Sequence, residues 1–183
     1  MSVARFERRI TSEWTQEATF SYLAMFSNAR DWDPGVLDAE RLDSGPVRIG
    51  SQFRLVVPFG LARLTLIYRV INLSQDDREI RLTARSALLQ VTDHIAVGPP
   101  EPVWGPTFVD YRADVSLRGP LRLFEPVLRR GFTTVGERAA AGLAAALARP
   151  QPTEPQPAEP RLAEPQPAEP QPAEPQPRNA TPR

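Results

Sequence analysis

Four stretches of the chain alternate apolar and polar side chains with a period of two. In "SQFRLVVPFG", Phe53, Leu55, Val57 and Phe59 alternate with Gln52, Arg54, Val56 and Pro58. In "ARLTLIYRVI", Leu64, Leu66, Tyr68 and Val70 alternate with Arg63, Thr65, Ile67 and Arg69. The phase continues through Ile80, Leu82, Ala84 and Ser86, and returns in "TFVDYRADVSL" with Val109, Tyr111, Ala113, Val115 and Leu117. Period two puts one set of side chains on a single sheet face, so these stretches predict strands that are apolar inside and wet outside. Short links such as "SQDD" (74 to 77) predict antiparallel neighbours, and "VARFERRI" (3 to 10) adds a strand at the start. The expectation is a curved antiparallel sheet with one greasy side.

Two stretches carry the helical period instead. From Thr15 to Phe26, the residues Phe20, Leu23 and Phe26 recur three apart, predicting a helix. From Pro120 to Ala148, the positions Leu121, Phe124, Leu128, Phe132, Val135, Ala139, Gly142 and Ala146 form an apolar stripe. Such a helix is about 40 Å long, enough to lie along the whole sheet. Pro126 should kink it or mark its true start. Gly131 and Gly136 each cost about 1 kcal/mol in a helix interior, so they signal close approach or looseness. Between the first helix and the sheet lies "SNARDWDPGV" (27 to 36), where Pro34 pushes Asp33 out of the helical region and Gly35 permits a reversal. Trp32 at this corner reads as buried packing. Asp31 and Asp33 supply too few ligands for a metal, and no metal site is expected.

Composition changes at Pro150. Of the 21 prolines, 12 lie from there onward, in a five-residue repeat close to "AEPQP" with Glu154, Glu159, Glu164, Glu169 and Glu174 in step. Missing N–H groups and missing apolar repeats predict a disordered, polyproline-like tail over 150–183, leaving one domain over 1–149. It reads as a spacer or solubility tail, or as a ligand for a proline-binding protein; which protein that would be is unknown.

The net charge is +0, all 22 basic residues are arginine, and none clusters beyond a pair, so no nucleic-acid partner is expected. That arginine bias fits a GC-rich bacterial genome. There is no cysteine, hence no disulfide or thiolate nucleophile. No apolar run reaches the ~20 residues of a membrane span, and "MSVARFERRI" lacks a signal-peptide core, so no stable membrane insertion is expected and a cytoplasmic location is. "GLAAALA" is helical packing rather than a phosphate loop, and no cofactor is expected.

One histidine and one aspartate stand out as chemistry. In "VTDHIAV" the inward phase runs Val91, Asp93, Ile95, Val97, which places His94 on the wetter face. Asp93 then points inward among apolar residues. On the pattern alone the favoured reading is a strand-end carboxylate that caps backbone or pairs with an arginine. The alternative is a ligand-facing acid beside Tyr68, Tyr111 or Ser86, and as a catalytic candidate Asp93 is the weak best choice.

The order strand, two short helices, antiparallel strands, long C-terminal helix resembles the helix-grip fold of the SRPBCC superfamily. It is most similar to its polyketide cyclase/dehydrase and lipid-transport branch, through "DWDPGV" (31 to 36), "GPVRIGSQFRL" (45 to 55), "LIYRV" (66 to 70) and "YRADVSLRGPLRLFEPVL" (111 to 128). The turn "GPPEPVWGP" (98 to 106) and the tail depart from that pattern. The resemblance implies an α+β fold with about seven strands wrapped around the long helix, two short helices after the first strand, and a cavity for lipids, sterols or polyketide-like molecules. Its lining would come from Phe53, Leu55 and Val57, from Leu66 and Tyr68, and from Leu82 and Ala84. Asp93, Val109 and Tyr111 would join them from the last strands, with Phe124, Leu128 and Phe132 on the helix. Three functions compete, in this order: binding or transport of a hydrophobic small molecule; a polyketide cyclase/dehydratase-like enzyme using Asp93 with Tyr68, Tyr111 or Arg112; and an interaction protein with a filled interior, working through its tail or the Val103-Trp104 turn.

Overall fold

The computed structural model describes residues 4–100, 102, 104–118 and 125–151, without the side chains of 125–130. The proline-rich repeat therefore lies outside the described residues. Strand β1 (Ala4–Ser12) leads into helix α1 (Gln16–Ala24), a 3-10 turn (Phe26–Asn28) and the short helix α2 (Ala29–Trp32). Six strands follow: β2 (Asp38–Arg41), β3 (Gln52–Phe59), β4 (Ala62–Ser74), β5 (Glu79–Arg85), β6 (Leu89–Gly98) and β7 (Thr107–Leu117). Helix α3 (Glu125–Leu147) ends the fold. The seven strands form one antiparallel sheet in the order β1-β7-β6-β5-β4-β3-β2, so every sequential pair from β2 to β7 is a hairpin and β1 closes against the last strand.

The alternation predicts the inner face well in the middle of the sheet and fails at one end. Phe53 and Leu55 are buried, Val57 is half-buried and Phe59 is exposed; on the paired strand Leu64 is half-buried while Leu66, Tyr68 and Val70 are buried. Burial fades toward the β3–β4 reversal at Gly60, whose φ of +61° suits glycine. Val57 and Phe59 therefore belong less to the core than the alternation implies. On β4 the register shifts between Val70 and Asn72, so that Leu73 opposes Ile80 and Ile71 turns outward.

The single helix expected from Thr15 to Phe26 is broken. Thr15 caps α1, its side chain accepting from the Ala18 N–H at 3.2 Å, but Met25 adopts φ −76°, ψ 76° and ends the helix before Phe26. Asp33 is extended (φ −98°, ψ 107°), as a residue before proline should be, and its Oδ1 accepts from the Gly35 N–H at 2.7 Å. The corner is thus built as its sequence dictates, with Trp32 buried.

Helix α3 starts at Glu125, so Pro126 falls in its first turn, where a missing N–H costs nothing. It packs on β1, touches β7 less, and meets α2. The inner face of β3 and β4 is met by Phe26 of the 3-10 turn, whose ring lies 6.3 Å from Phe53 and 4.9 Å from Tyr68. The buried face of α3 carries Gly136, Ala139, Ala140, Leu143, Ala146 and Leu147. Val135, placed inward by the sequence stripe, is exposed. The physical reason is Gly136: a Cβ there would sit 2.3 Å from the Phe6 ring, so the helix turns its glycine, not its valine, to the sheet. At Gly142 a Cβ would lie 2.0 Å from the Trp32 carbonyl oxygen. The far end is tied down by Trp14, whose Nε1 donates to the Arg149 carbonyl at 2.6 Å, and by the Glu13 N–H donating to the Leu147 carbonyl at 3.2 Å.

These contacts separate the helix glycines by role. Gly142→Ala should destabilise by about 2 kcal/mol or more, because backbone cannot yield as a side chain would. Gly131→Ala, with open space around it, should gain up to about 1 kcal/mol from helix propensity. Denaturant unfolding of both variants checks the contrast, and equal behaviour would refute the packing described.

Candidate functional site

Asp93 sits in the middle of β6, opposite Leu82 on β5 and Ala113 on β7, and is 2% exposed. Its location follows from period two: Val91, Asp93, Ile95 and Val97 are all buried. Tyr111 lies diagonally across on β7, and its hydroxyl donates to Asp93 Oδ1 at 2.8 Å. Tyr68 reaches the same carboxyl from β4, two strands away. The small side chain of Ala84, its cross-strand partner, leaves the room for that reach. Oδ2 of Asp93 is buried and has no hydrogen-bond partner of good geometry among the described residues. Tyr68 is therefore an electrostatic neighbour of the carboxyl, not a partner that satisfies Oδ2.

Among the described residues the carboxyl neither caps backbone nor pairs with an arginine, unlike the reading favoured by the sequence pattern. Position 93 lies four residues inside the strand, and the one arginine of β7 faces outward: Arg112 Nε is held 3.1 Å from Asp114 Oδ2. Ser86 is occupied in its own turn, its Oγ accepting from Leu88 and Leu89 N–H groups. His94 occupies the outer face, with Nε2 2.8 Å from Glu79 Oε1 but not aligned as a hydrogen bond. Asp31 is exposed and Asp33 half-buried. No group of three or more acidic or histidine side chains among the described residues is placed to hold a metal ion.

Burial raises Asp93 from its ordinary 3.8 to about 7, a rise opposed by the Tyr111 hydrogen bond and the neighbouring Tyr68 hydroxyl and aided by the charges of Asp33 and Asp114. Burial likewise pushes Tyr68 and Tyr111 well above 10, with the Asp93 charge adding to it. Asp33 is also raised by burial, against the hydrogen bond from Gly35. The result is an acceptor-rich cluster: two carboxyls and two tyrosines that do not ionise in the ordinary range.

Aromatic rings wall this cluster. Trp32 stands edge-on to Tyr111 at 6.0 Å, Phe6 lies 6.5 Å from Tyr111, and Phe26 covers Tyr68. Of the expected lining, Phe53, Leu55, Leu66, Tyr68, Leu82, Ala84, Asp93, Val109 and Tyr111 are buried on the inner face; Val57 and Phe132 are half-buried. Phe124 and the side chain of Leu128 lie outside the described residues. Val109, Ile95 and Leu82 have no exposure at all, whereas Tyr68, Tyr111 and Ala113 keep 6% and Val91 8%. Access thus grows along the inner face from Val109, Ile95 and Leu82 toward the β5–β6 turn, where Val115 keeps 6%, Leu117 7% and Leu89 8%. Sequence reasoning missed Asp33 as a neighbour of Asp93, and Phe6, Phe26 and Trp32 as neighbours of its two tyrosines. A signal was present for Asp33, an acid fixed beside a buried tryptophan by the following proline.

An open antiparallel sheet packed on a C-terminal helix, with short helices after strand one and an aromatic-walled polar cluster between, is the helix-grip fold. The chain belongs to the polyketide cyclase / dehydrase and lipid transport family, whose model matches residues 3–148. Its fold is similar to that of a START superfamily protein from Mycobacterium smegmatis (TM-score 0.62, 17% identity, covering 78% of this chain and 96% of that one). It is equally similar to the Zhui aromatase/cyclase from Streptomyces sp. R1128 (TM-score 0.62, 16% identity, 78% and 90% covered). A protein from Thermus thermophilus matches as well (TM-score 0.62, 13% identity, 79% and 95% covered). No curated protein matches the chain. Among the described residues, no helix is long and apolar enough to cross a membrane.

Because the native state holds a proton on Asp93 up to about pH 7 and the unfolded chain only to about 3.8, the native state binds more protons between those values. Stability contributed by this proton is present below about pH 4 and is lost as pH rises toward 7. Asp93→Asn removes the dependence. The wild-type-minus-variant difference in unfolding free energy, measured at about pH 4 and about pH 8, should therefore shift against the wild type by on the order of a few kcal/mol. A difference that stays flat would mean that the carboxyl is solvated.

Proposed function

We propose that the protein binds, and as a carrier transports, a hydrophobic small molecule such as a lipid or polyketide-like compound between the sheet and α3. The observation that carries this reading is the arrangement at Asp93: one polar group, incompletely hydrogen-bonded, at the border between a sealed apolar core and a stretch of inner face that retains access. Small-molecule sites combine an apolar, aromatic wall with a few convergent polar groups in this way. Membership of a family described by cyclase, dehydrase and lipid-transport roles supports the ligand class.

A cyclase/dehydratase-like activity is the second reading, favoured by one specific feature. Asp93 changes protonation near pH 7 beside two tyrosine hydroxyls, which is what a general acid or base working at neutral pH needs. Binding alone requires no such tuning.

Mass spectrometry of organic extracts from the purified native protein tests the first reading. A co-purifying lipid or aromatic polyketide is the expected result. An interior that stays empty and takes up no apolar probe would favour an interaction protein, for which the fully exposed Trp104 turn is available. Asp93→Asn divides the two ligand-based readings: a carrier keeps apolar binding, whereas an acid/base enzyme loses turnover by about a hundredfold or more.

A further inference from the structure

The hydrogen-bond inventory around Asp93 is unbalanced in one direction. Tyr111 has a single hydroxyl proton, and it is committed to Oδ1. The cross-strand neighbours of Asp93 are Leu82 and Ala113, which have no side-chain donor. Asp33, the other carboxyl acting on the cluster, is an acceptor whose Oδ1 already takes the Gly35 N–H. The rings of Phe6, Phe26 and Trp32 wall the cluster; phenylalanine has no donor to give, and the indole N–H of Trp32 makes no hydrogen bond to Oδ2. The Tyr68 hydroxyl lies near the carboxyl but does not reach Oδ2 in hydrogen-bonding geometry, so this buried oxygen is left without a hydrogen-bond partner among the described residues.

Leaving a buried acceptor unpaired costs about 1–3 kcal/mol, more when it is charged. A molecule entering beside Tyr68, Tyr111 and Val91, where the inner face retains access, meets this oxygen as the polar feature that lacks a partner. This inference rests on the pocket reading above and narrows its ligand. We propose that the protein selects apolar molecules carrying a neutral hydroxyl, an alcohol or a phenol, which donates its proton to Asp93 Oδ2. While Asp93 is ionised, a molecule with the same skeleton but only ether or carbonyl oxygens presents an acceptor to an acceptor, and is discriminated against because both remain unpaired.

Three matched probes test this: 2-naphthol, 2-methoxynaphthalene and naphthalene, with affinities for the full-length protein measured at about pH 8, where Asp93 is largely ionised. Wild type should bind 2-naphthol about tenfold or more tighter than the ether, and the ether about as tightly as the hydrocarbon. In Asp93→Asn, where an amide N–H₂ faces the ligand in place of Oδ2, the preference for the hydroxyl over the ether should vanish while naphthalene affinity is retained. Equal affinity of wild type for naphthol and ether would overturn the hydroxyl inference and leave the hydrophobic pocket standing. Failure of all three probes to bind would overturn the pocket reading and this inference with it. The wild-type comparison needs no variant to fold, so the outcome does not depend on how well Asp93→Asn is tolerated.

Discussion

The approach of helix α3 to the Trp32 carbonyl at Gly142 is the contact on which the rest of the site depends. Any side chain at position 142 would place a carbon 2.0 Å from that oxygen. Glycine lets the helix press the α2 corner toward the sheet, and the corner delivers the Trp32 ring edge-on to Tyr111. Tyr111, held in this way, directs its hydroxyl to Asp93. Gly136 performs the matching task at β1, where it admits the Phe6 ring, a second neighbour of Tyr111. Two glycines in one helix thus set the position of a carboxyl that neither of them touches.

Charge is distributed so that the interior holds acids and the surface holds the arginines. Arg5 pairs with Asp114 across β1 and β7, Arg9 with Asp110, and Arg54 with Asp38 and Glu40 across β3 and β2. Most of these side chains are well exposed, and such pairs contribute little each; their register value along the outer face is the larger effect. One polar network is more specific. Asp43 accepts from Arg41, from the Ser51 hydroxyl at 2.8 Å and from the Gln52 N–H at 3.1 Å, which fastens the long β2–β3 connection back onto the strands it joins. The Arg41 guanidinium holds this carboxyl far below the usual range. The same residue type is thus driven in opposite directions in one protein, down where donors surround it and up where apolar side chains do.

Much of this was legible in the residues and some was not, for physical reasons. Period two finds the strands because one sheet face is apolar from β3 to β7, but β2, "DAER", is a four-residue polar edge strand with no apolar period to read. The break at Met25 is invisible to a three-and-four spacing that continues through Phe26. The α3 stripe was displaced by one position because a hydropathy pattern favours Val135 over Gly136, whereas the Phe6 ring needs the vacancy. At the site, the inward phase singled out Asp93, Tyr68 and Tyr111. Choosing among partners for Asp93 required the register of β4 through β7, which no local pattern encodes.

The register also explains why an acid is found where period two calls for an apolar residue. A leucine at position 93 would seal against Leu82, Val91 and Ile95, and replacing a half-satisfied buried polar group by a packed apolar one generally stabilises a core. The neighbours, however, are not arranged as a core closing on itself. Ala84 and Ala113 are the smallest residues on their strands' inner faces at this level, and both tyrosines aim polar ends into the space those alanines leave. Small residues around the carboxyl, with the Tyr111 hydroxyl arriving from β7 and that of Tyr68 from β4, leave one lone-pair direction unmet. Maximal packing would have removed it; the fold instead sustains the cost of Asp93 with the surplus burial of the sealed half of the sheet, around Val109, Ile95 and Leu143.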